Sequence, residues 1–357
     1  MSRPLEVYAV PGLPNIEAGD DLAALICARF ALRDGDVLAV TSKVVSKAED
    51  RVIVSSREEA AEAETYRVVA RRGPTLIART RTGLVLAAAG VDASNVESGR
   101  VVLLPADPDR SAGALRERVA ALGGVNVGVV ITDTAGRAWR VGQTDIAVGC
   151  AGIAPLDDHT GRLDPFGNVL QVTAPAVADE VAAAADLVKG KLAATPVAVL
   201  RGAPLRLLPG TDHGPGAAAL VRALAEDLFG LGTREAVAAA AARRDPAALS
   251  AFPVHRTPIA WLVRQASHGL VSSRASLRPQ AADDSGAVLV RGLIRGAGAP
   301  ALEAAVSVGA AAERLCALAV SAGWAVDEEP AAPSGTPMAD ADGWRLVLRL
   351  RLIPRVT

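Results

Sequence analysis

Short apolar, β-branched runs alternate with amphipathic segments along the chain, and this pattern predicts a mixture of strands and helices. One run, residues 127–131, has the length and composition of a buried strand, and the polarity reverses directly after it. Further strands are predicted over residues 5–10, 36–40, 76–78, 84–89, 101–104, 169–172 and 197–200. The predicted fold class is therefore α/β, in a mixed α+β arrangement.

Helices are predicted where apolar positions recur every three or four residues. They cover residues 22–31, 58–72, 111–122, 178–194 and 217–229. Asp20 or Asp21 is expected to cap the first of them, and Ser111 the third. The helix over 178–194 has acids at its start and Lys189 and Lys191 near its end, as the helix macrodipole favours.

Polar side chains follow two of the predicted strands. Asp133, Thr134 and Arg137 come after the strand at 127–131, and Asp92 and Asn95 come after the strand at 84–89. Ligands collect at strand ends in α/β proteins, and carboxylate and amide oxygens suit hard cations such as Mg²⁺ or Mn²⁺. Taken alone, Asp92 and Asn95 also fit an ordinary turn; together with Asp133 they favour a shared metal site.

Two further segments are candidates for binding phosphate. The segment TSKVVSK (41–47) places three hydroxyls and two lysines, among them Ser42 and Lys47, beside a strand end. It is not a Walker P-loop, and a charged, solvated strand edge explains it equally well. The stiff turn at 11–15 could hold backbone N–H groups toward a ligand, although an ordinary turn is the simpler interpretation. With so few histidines, nucleophilic hydrolase chemistry is disfavoured, and the residues describe a site that handles polyphosphate with a divalent metal.

Composition narrows the class of protein. The net charge of −1, from 38 basic and 39 acidic residues, argues against nucleic-acid and membrane-surface partners. Cys27, Cys150 and Cys316 are too far apart for a CxxC metal site or a disulfide framework, which favours a reducing compartment. No signal-peptide core is apparent, and no apolar run reaches roughly 18 residues without charges or helix breakers. A cytoplasmic protein is expected.

The character of the sequence changes at about residue 235. Residues 236–249 are predicted to form an Ala/Arg-rich linker helix, and residues 250–357 a second, smaller domain. Within it the pattern predicts a helix over 300–322, a Pro-rich loop over 328–337 and a strand over 344–353. No reactive side chains gather there.

The motifs, taken together, resemble those of one family. They are GLP (12–14), DGD (34–36), TSKVVSK (41–47), GVDASNV (90–96), ITDTAGRAWRVGQTD (131–145), DPFGN (164–168), ADEVAAAADLVKGKL (178–192) and LRG (200–202). Their order and composition resemble coenzyme F420-0:L-glutamate ligase, most closely the amino-terminal domain of the two-domain actinobacterial form. The resemblance covers residues 5–235.

The resemblance implies a GTP- and metal-dependent amide ligase. GTP would phosphorylate the terminal carboxylate of coenzyme F420-0, and L-glutamate would attack the acyl phosphate, with further γ-linked glutamates possible. It implies an unusual α/β fold, a homodimer with sites near the subunit interface, and an association with K⁺.

The resemblance also assigns roles to residues. GTP contacts would come from Leu13, Pro14, Asn15, Ile16, Ser42, Lys47 and Asn95. Mg²⁺ or Mn²⁺ would be held by Asp92, Asp133 and Thr134, and the catalytic residues would be Asp133, Arg137 and Lys47.

The carboxyl-terminal part departs from the family pattern. Two-domain relatives carry a nitroreductase-like FMN domain of about twice this length, and residues 302–324 resemble its long core helix. The flavin-binding start is not visible around 253–261. We therefore expect a shortened remnant without FMN. Two alternatives stay open for the chain as a whole: a related metal-dependent ligase acting on another acid, and a non-catalytic scaffold that binds F420 precursors.

Overall fold

The structure, a computed structural model, describes residues 4–227, 229–230, 232, 258–268, 270, 273–281, 287–322, 324–329 and 340–354. The chain divides into two compact units, Met1–Arg222 and Ala223–Thr357. The predicted linker helix at 236–249 lies outside the described residues. Within the described part of the chain, no helix has the length and apolar character needed to cross a membrane.

The first unit mixes helices with three small or medium sheets, which confirms the predicted fold class. Its helices are α1 (Leu22–Cys27), α2 (Ser42–Ala48), α3 (Arg57–Glu64), α4 (Pro108–Gly123) and α5 (Val177–Lys189). Its strands are β1 (Glu6–Ala9), β2 (Val37–Thr41), β3 (Val52–Val54), β4 (Thr65–Arg72), β5 (Thr75–Thr80), β6 (Val85–Ala87), β7 (Arg100–Val102), β8 (Gly128–Gly136), β9 (Gln143–Ala151) and β10 (Val197–Arg201).

A five-stranded sheet with the order β1-β10-β2-β8-β9 forms the centre of this unit. Strands β2 and β8 are parallel, and the other neighbours are antiparallel. Helices α1 and α4 pack against the face of the sheet that carries Leu38 and Val129. Helix α5 packs against the opposite face, which carries Ala39 and Val130. Because both faces are buried, the central strands read as continuous apolar runs rather than alternating ones.

One predicted element changes type in the structure, and another is longer than predicted. The segment predicted as one helix over 58–72 is α3 followed by the strand β4; Thr65 begins a run of β-branched and aromatic residues that favours a strand over a continued helix. The predicted strand at 127–131 continues through Thr132, Asp133 and Thr134 to Gly136, where it pairs with β9. The polar residues are therefore part of the strand and not of a loop after it.

Other boundaries also move. Helix α4 begins at Pro108 with Asp107 as its cap, so Ser111 is not the cap; Asp107 accepts a hydrogen bond from the Arg110 amide. The predicted helix over 217–229 is two short 3-10 turns, and 169–172 contains only an isolated bridge at Val169. Helix α1 is capped by Asp21, as one of the two predicted options. Helix α5 ends at Lys189, before Gly190, rather than at 194.

The second unit is a small α+β domain, as predicted. It contains α6 (Ile259–Ser267), β11 (Ala275–Ala281), β12 (Val288–Arg295), α7 (Ala299–Ser321), β13 (Trp324–Glu329) and β14 (Trp344–Pro354). The strands form an antiparallel sheet with the order β11-β12-β14-β13, and α6 and α7 pack against it in one apolar core. The predicted helix over 300–322 and strand over 344–353 are confirmed; most of the predicted Pro-rich loop lies outside the described residues.

Candidate active site

The candidate site lies at the carboxyl ends of the parallel strands β2 and β8, where Thr41 is paired with Thr132. Strand β2 runs directly into helix α2, so the segment 41–47 is a strand end followed by a helix and not a solvated strand edge. Ser42 and Ser46 of this helix are buried. This corner of the sheet therefore brings the polar part of β8 against the start of α2.

A cavity of about 350 Å³ opens beside these strand ends. That volume is in the range of small-molecule sites. Four segments form most of its wall: the turn after β1, helix α2, the hairpin of β8 and β9, and the end of α5 with the residues after it. Its lining residues are Leu13, Pro14, Asn15, Ile16, Thr41, Lys43, Val44, Lys47, Asn95, Thr134, Asp145, Asp186, Lys189, Gly190, Lys191, Ala194, Thr195 and Pro196.

The cavity collects every lysine of the chain. The sequence has 38 basic residues but only four lysines, Lys43, Lys47, Lys189 and Lys191, and all four line this cavity. Lysine offers a compact charge on a flexible stem, whereas arginine is a rigid planar fork that does not substitute for it in a tight site. The chain thus uses arginine elsewhere and lysine here, which suits a site for a multiply charged anion.

Asp133 of β8 precedes the lining residue Thr134 and faces α2, without itself lining the cavity. Its Oδ1 accepts a hydrogen bond of 3.1 Å from the Ser42 hydroxyl. Burial, helped by the charges of Asp145 and Asp92, raises the pKa of Asp133 to about 6, although the hydrogen bond from Ser42 acts to lower it. A carboxylate in that position gains from a nearby cation, which would restore the charged form.

Asp92 is held by a lysine in the structure. Its Oδ2 lies 2.6 Å from Lys43 Nζ, and its oxygens also accept hydrogen bonds from the amide and the hydroxyl of Ser94. Burial alone would raise the pKa of Asp92, but Lys43 and Ser94 together bring that pKa below its ordinary value. Asp92 is therefore ionised at neutral pH.

Asp145 and Lys189 form an ion pair with 2.7 Å between Asp145 Oδ2 and Lys189 Nζ. The side chains of both residues are only 4% exposed. Asp145 also accepts hydrogen bonds from Thr132 Oγ1 (2.9 Å) and Thr134 Oγ1 (2.8 Å), and Lys189 donates to Thr132 Oγ1 (2.7 Å). The last residue of α5 is thereby tied to the hairpin of β8 and β9.

The donors present fit a divalent cation chemically. Asp92 and Asp133 supply carboxylate oxygens, Thr134 supplies a hydroxyl, and these hard oxygens are the ligands that Mg²⁺ and Mn²⁺ prefer. The carboxylate charges that raise the pKa of Asp133 would be offset by such an ion. In the described part of the chain, no three His, Cys, Asp or Glu side chains form a preformed cluster, and Asp92 is paired with Lys43.

The structure brings most of the predicted site residues to this cavity. The predicted turn residues, Lys47, Asn95 and Thr134 all line it, and Lys47 Nζ donates to Asn15 Oδ1 across 3.1 Å. Ser42 does not line the cavity but donates a hydrogen bond to Asp133, and Asp92 forms an ion pair with the lining residue Lys43. The predicted ligands for nucleotide and metal therefore occupy one region.

Arg137 is the exception. It lies exposed in the connection between β8 and β9 and does not line the cavity. The predicted catalytic role of Arg137 thus has no contact in this structure that supports it.

Sequence reasoning predicted Lys189 only as a helix-end lysine, and it gave Lys43 and Asp145 no role of their own, although both lie in polar segments that it singled out. Lys189 fits the helix macrodipole so well that its burial is not apparent from sequence. Asp145 is separated from Thr134 by ten residues, and only the pairing of β8 with β9 places them opposite each other. A signal was available in the composition, because all the lysines of the chain fall within two short segments, 43–47 and 189–191.

Comparison with known proteins finds relatives of this chain that share one name. The family model of F420-0:gamma-glutamyl ligase matches residues 12–67 and 57–202. The coenzyme F420:L-glutamate ligase of Archaeoglobus fulgidus is 42% identical over 220 residues, which cover 56% of this chain and 88% of that protein. The enzyme of the same name from Methanopyrus kandleri is 40% identical over 249 residues, or 63% of this chain and 97% of that protein.

A third relative, the coenzyme F420:L-glutamate ligase of Methanosarcina acetivorans, is 39% identical over 217 residues, or 55% of this chain and 85% of that protein. The matched residues include the turn after β1, helix α2, the β8–β9 hairpin and helix α5, which together form the cavity. The matches span more than half of the chain and nearly the whole length of these relatives, and the chain belongs to the F420-0:gamma-glutamyl ligase family.

Proposed function

We propose that this chain, a ligase that forms carbon–nitrogen bonds, joins L-glutamate to coenzyme F420-0 at the expense of GTP, through an acyl phosphate. The observation that carries the proposal is the cavity that gathers all four lysines of the chain around the carboxylates at the ends of β2 and β8. Both GTP and a carboxylic-acid substrate are anions, and phosphoryl transfer depends on positioned cations more than on covalent catalysis.

The reaction has two steps. In the first, a carboxylate oxygen of F420-0 attacks the γ-phosphorus of GTP, the bond from that phosphorus to the bridging oxygen breaks, and GDP leaves. In the second, the amino nitrogen of L-glutamate attacks the acyl carbon, inorganic phosphate leaves, and the nitrogen gives up a proton to form the amide. Repetition on the new γ-carboxylate would lengthen the tail.

The residues that line the cavity have distinct roles in this proposal. Leu13–Ile16 (Leu13, Pro14, Asn15 and Ile16) and Asn95 bind the nucleotide, with Ser42 supporting the phosphate side of the site. Lys47 holds a phosphate oxygen as a point charge and is itself oriented by Asn15. Asp92, Asp133 and Thr134 hold Mg²⁺ or Mn²⁺, with K⁺ as a further ion. The divalent ion, when bound, neutralises charge on the transferred phosphoryl group.

A homodimer is part of the proposal. Large apolar side chains are exposed in two parts of the first unit: Trp139 (87%) on the β8–β9 connection, and Phe166 (90%) and Val172 (92%) in the loop after β9. Aromatic side chains are enriched at protein–protein interfaces. A second copy of the chain is the partner proposed to cover them, and light scattering at several protein concentrations measures the stoichiometry.

Mass spectrometry of F420-0 incubated with the protein, GTP, L-glutamate and Mn²⁺ or Mg²⁺ tests the proposal. The expected result is a series of mass increases of one glutamate each, absent when GTP or metal is omitted, with Asp133→Ala as a folded inactive control. GTP cleavage without change to F420-0 would indicate a different acid as substrate. Binding of F420-0 without GTP cleavage, and unaffected in Asp133→Ala, would indicate a scaffold.

A further inference from the structure

The buried ion pair between Lys189 and Asp145 links the end of α5 to the β8–β9 hairpin. Burying two charges costs free energy that their mutual attraction does not regularly recover. The pair nevertheless lies against the cavity, where both residues are lining residues and both side chains are nearly inaccessible. The hydrogen bonds around the pair indicate what it does.

The pair determines which way two hydroxyl protons point. Thr132 and Thr134 are two residues apart on β8, and both hydroxyls lie within hydrogen-bonding distance of Asp145, at 2.9 and 2.8 Å. Lys189 donates to Asp145 Oδ2 at 2.7 Å, so this carboxylate is an acceptor with no proton to give. Thr134 must therefore donate its single proton to Asp145 Oδ1. The remaining lone pairs of Thr134 Oγ1 are then available on the side away from Asp145.

We propose that Asp145 and Lys189 are positioning residues that fix the Thr134 hydroxyl as an oxygen ligand for a divalent cation in the cavity. The inference rests on the proposed metal-dependent function. Partners of this kind commonly orient the groups that bind a metal. Lys189 contributes by occupying Asp145 Oδ2 and balancing its charge, which keeps Asp145 as the acceptor for the two threonines and not as a metal ligand.

The test is a Mn²⁺ titration of nucleotide-free protein, with free Mn²⁺ measured by electron paramagnetic resonance. The variant Asp145→Leu/Lys189→Met removes both charges together, so the net charge of the site is unchanged. Apolar side chains of similar volume often replace a buried ion pair without loss of stability. The expected result is a rise of tenfold or more in the Kd for Mn²⁺, the range seen when supporting residues of metal sites are lost.

A matched control removes the other buried pair of the sheet. Arg201 and Asp36 are 2.7 Å apart at the end of β2 opposite to the candidate site, with Asp36 fully buried. Asp36→Leu/Arg201→Met is equally neutral in charge and is expected to leave the Kd for Mn²⁺ unchanged. Adding Thr134→Val to the first variant is expected to raise that Kd little further, because both changes remove the same ligand.

If Asp145→Leu/Lys189→Met does not fold, Asp145→Asn replaces it. The amide of Asn presents a donor that competes with the Thr134 proton and leaves Lys189 without a counter-charge, so the Kd is expected to rise at least tenfold. If these variants bind Mn²⁺ with the Kd of the wild-type protein, and the wild-type protein ligates glutamate, the inference is overturned and the proposed function stands. Wild-type protein that binds no Mn²⁺ overturns the proposed metal site and this inference with it.

Discussion

The hydroxyl of Ser42, the first residue of α2, donates a 3.1 Å hydrogen bond to Asp133 in the middle of β8. The two residues are 91 positions apart in sequence and meet because β2 and β8 are parallel neighbours. This bond favours the charged form of the Asp133 carboxylate, which burial and the charges of Asp145 and Asp92 disfavour. Asp133 is thus maintained at a cost to stability, as is typical of functional sites.

Asp133→Asn is expected to abolish ligation and to stabilise the metal-free protein at pH 8. The pKa of Asp133 is raised to about 6 in the folded state, so its ionisation lowers the free energy of unfolding as pH rises from about 4 to about 6. A shift of about two pKa units corresponds to about 3 kcal/mol. Chemical denaturation with chelator present should show that gain at pH 8 and none at pH 4; an equal gain at both would contradict the account.

Lys47→Arg is expected to raise the KM for GTP about tenfold or more. The charge is kept, but a planar guanidinium does not reproduce the compact ammonium that bonds Asn15 at 3.1 Å, and loss of one charge-assisted hydrogen bond is worth about that factor. Steady-state kinetics with varied GTP measures it. Arg118→Lys is the control: Arg118 lies on α4, forms an exposed ion pair with Asp21, and its substitution should leave the KM for GTP unchanged. An unchanged KM for GTP in both variants would show that Lys47 does not bind the nucleotide.

Arg137→Ala tests the one predicted catalytic residue that the structure leaves away from the cavity. Arg137 acts on substrates only if the exposed β8–β9 connection closes over them. With closure, loss of its charge should lower kcat about a hundredfold, the scale for one transition-state donor. Arg140→Ala, in the same connection, should have wild-type kcat. Equal rates in the two variants would show that Arg137 has no catalytic role.

Arg116→Met is expected to destabilise the first unit by about 3 kcal/mol or more. Arg116 is 1% exposed, and its guanidinium donates to the carbonyl oxygens of Val127, Asp212 and Leu208 at 2.7 to 2.9 Å. The variant leaves these buried acceptors without donors. Arg118→Met, on the exposed side of the same helix, should change stability by about 0.5 kcal/mol or less. Matching denaturation curves for the two variants would contradict this account.

The sequence predicted four of the five central strands and part of the cavity lining because both are local signals. Apolar runs such as 127–131 and 197–200 predict strands buried on both faces, and the turn after β1, helix α2 and Asn95 carry recognisable polar residues. Their meeting at one cavity followed from the rule that ligands collect at strand ends in α/β proteins.

What the sequence could not provide depends on pairing across long distances. The extension of β8 through Thr134 depends on its pairing with β9, which begins seven residues after Gly136. The polar sequence between the two strands does not identify them as a hairpin. The change from α3 to β4 likewise depends on β5. The position of Lys189 in the sequence is that of an ordinary lysine at the end of a helix, and only tertiary packing buries it beside Asp145.

Oxygen transfer tests the central claim most directly. F420-0 labelled with ¹⁸O in its terminal carboxylate is incubated with the protein, GTP, L-glutamate and Mn²⁺, and the released phosphate is analysed by mass spectrometry. The account predicts one ¹⁸O atom in the phosphate released for the first amide bond, because the carboxylate oxygen leaves with the phosphoryl group. Phosphate from any later addition carries no label, because the γ-carboxylate of the added glutamate is unlabelled. Formation of the first amide bond with release of unlabelled phosphate only would contradict an acyl-phosphate ligase.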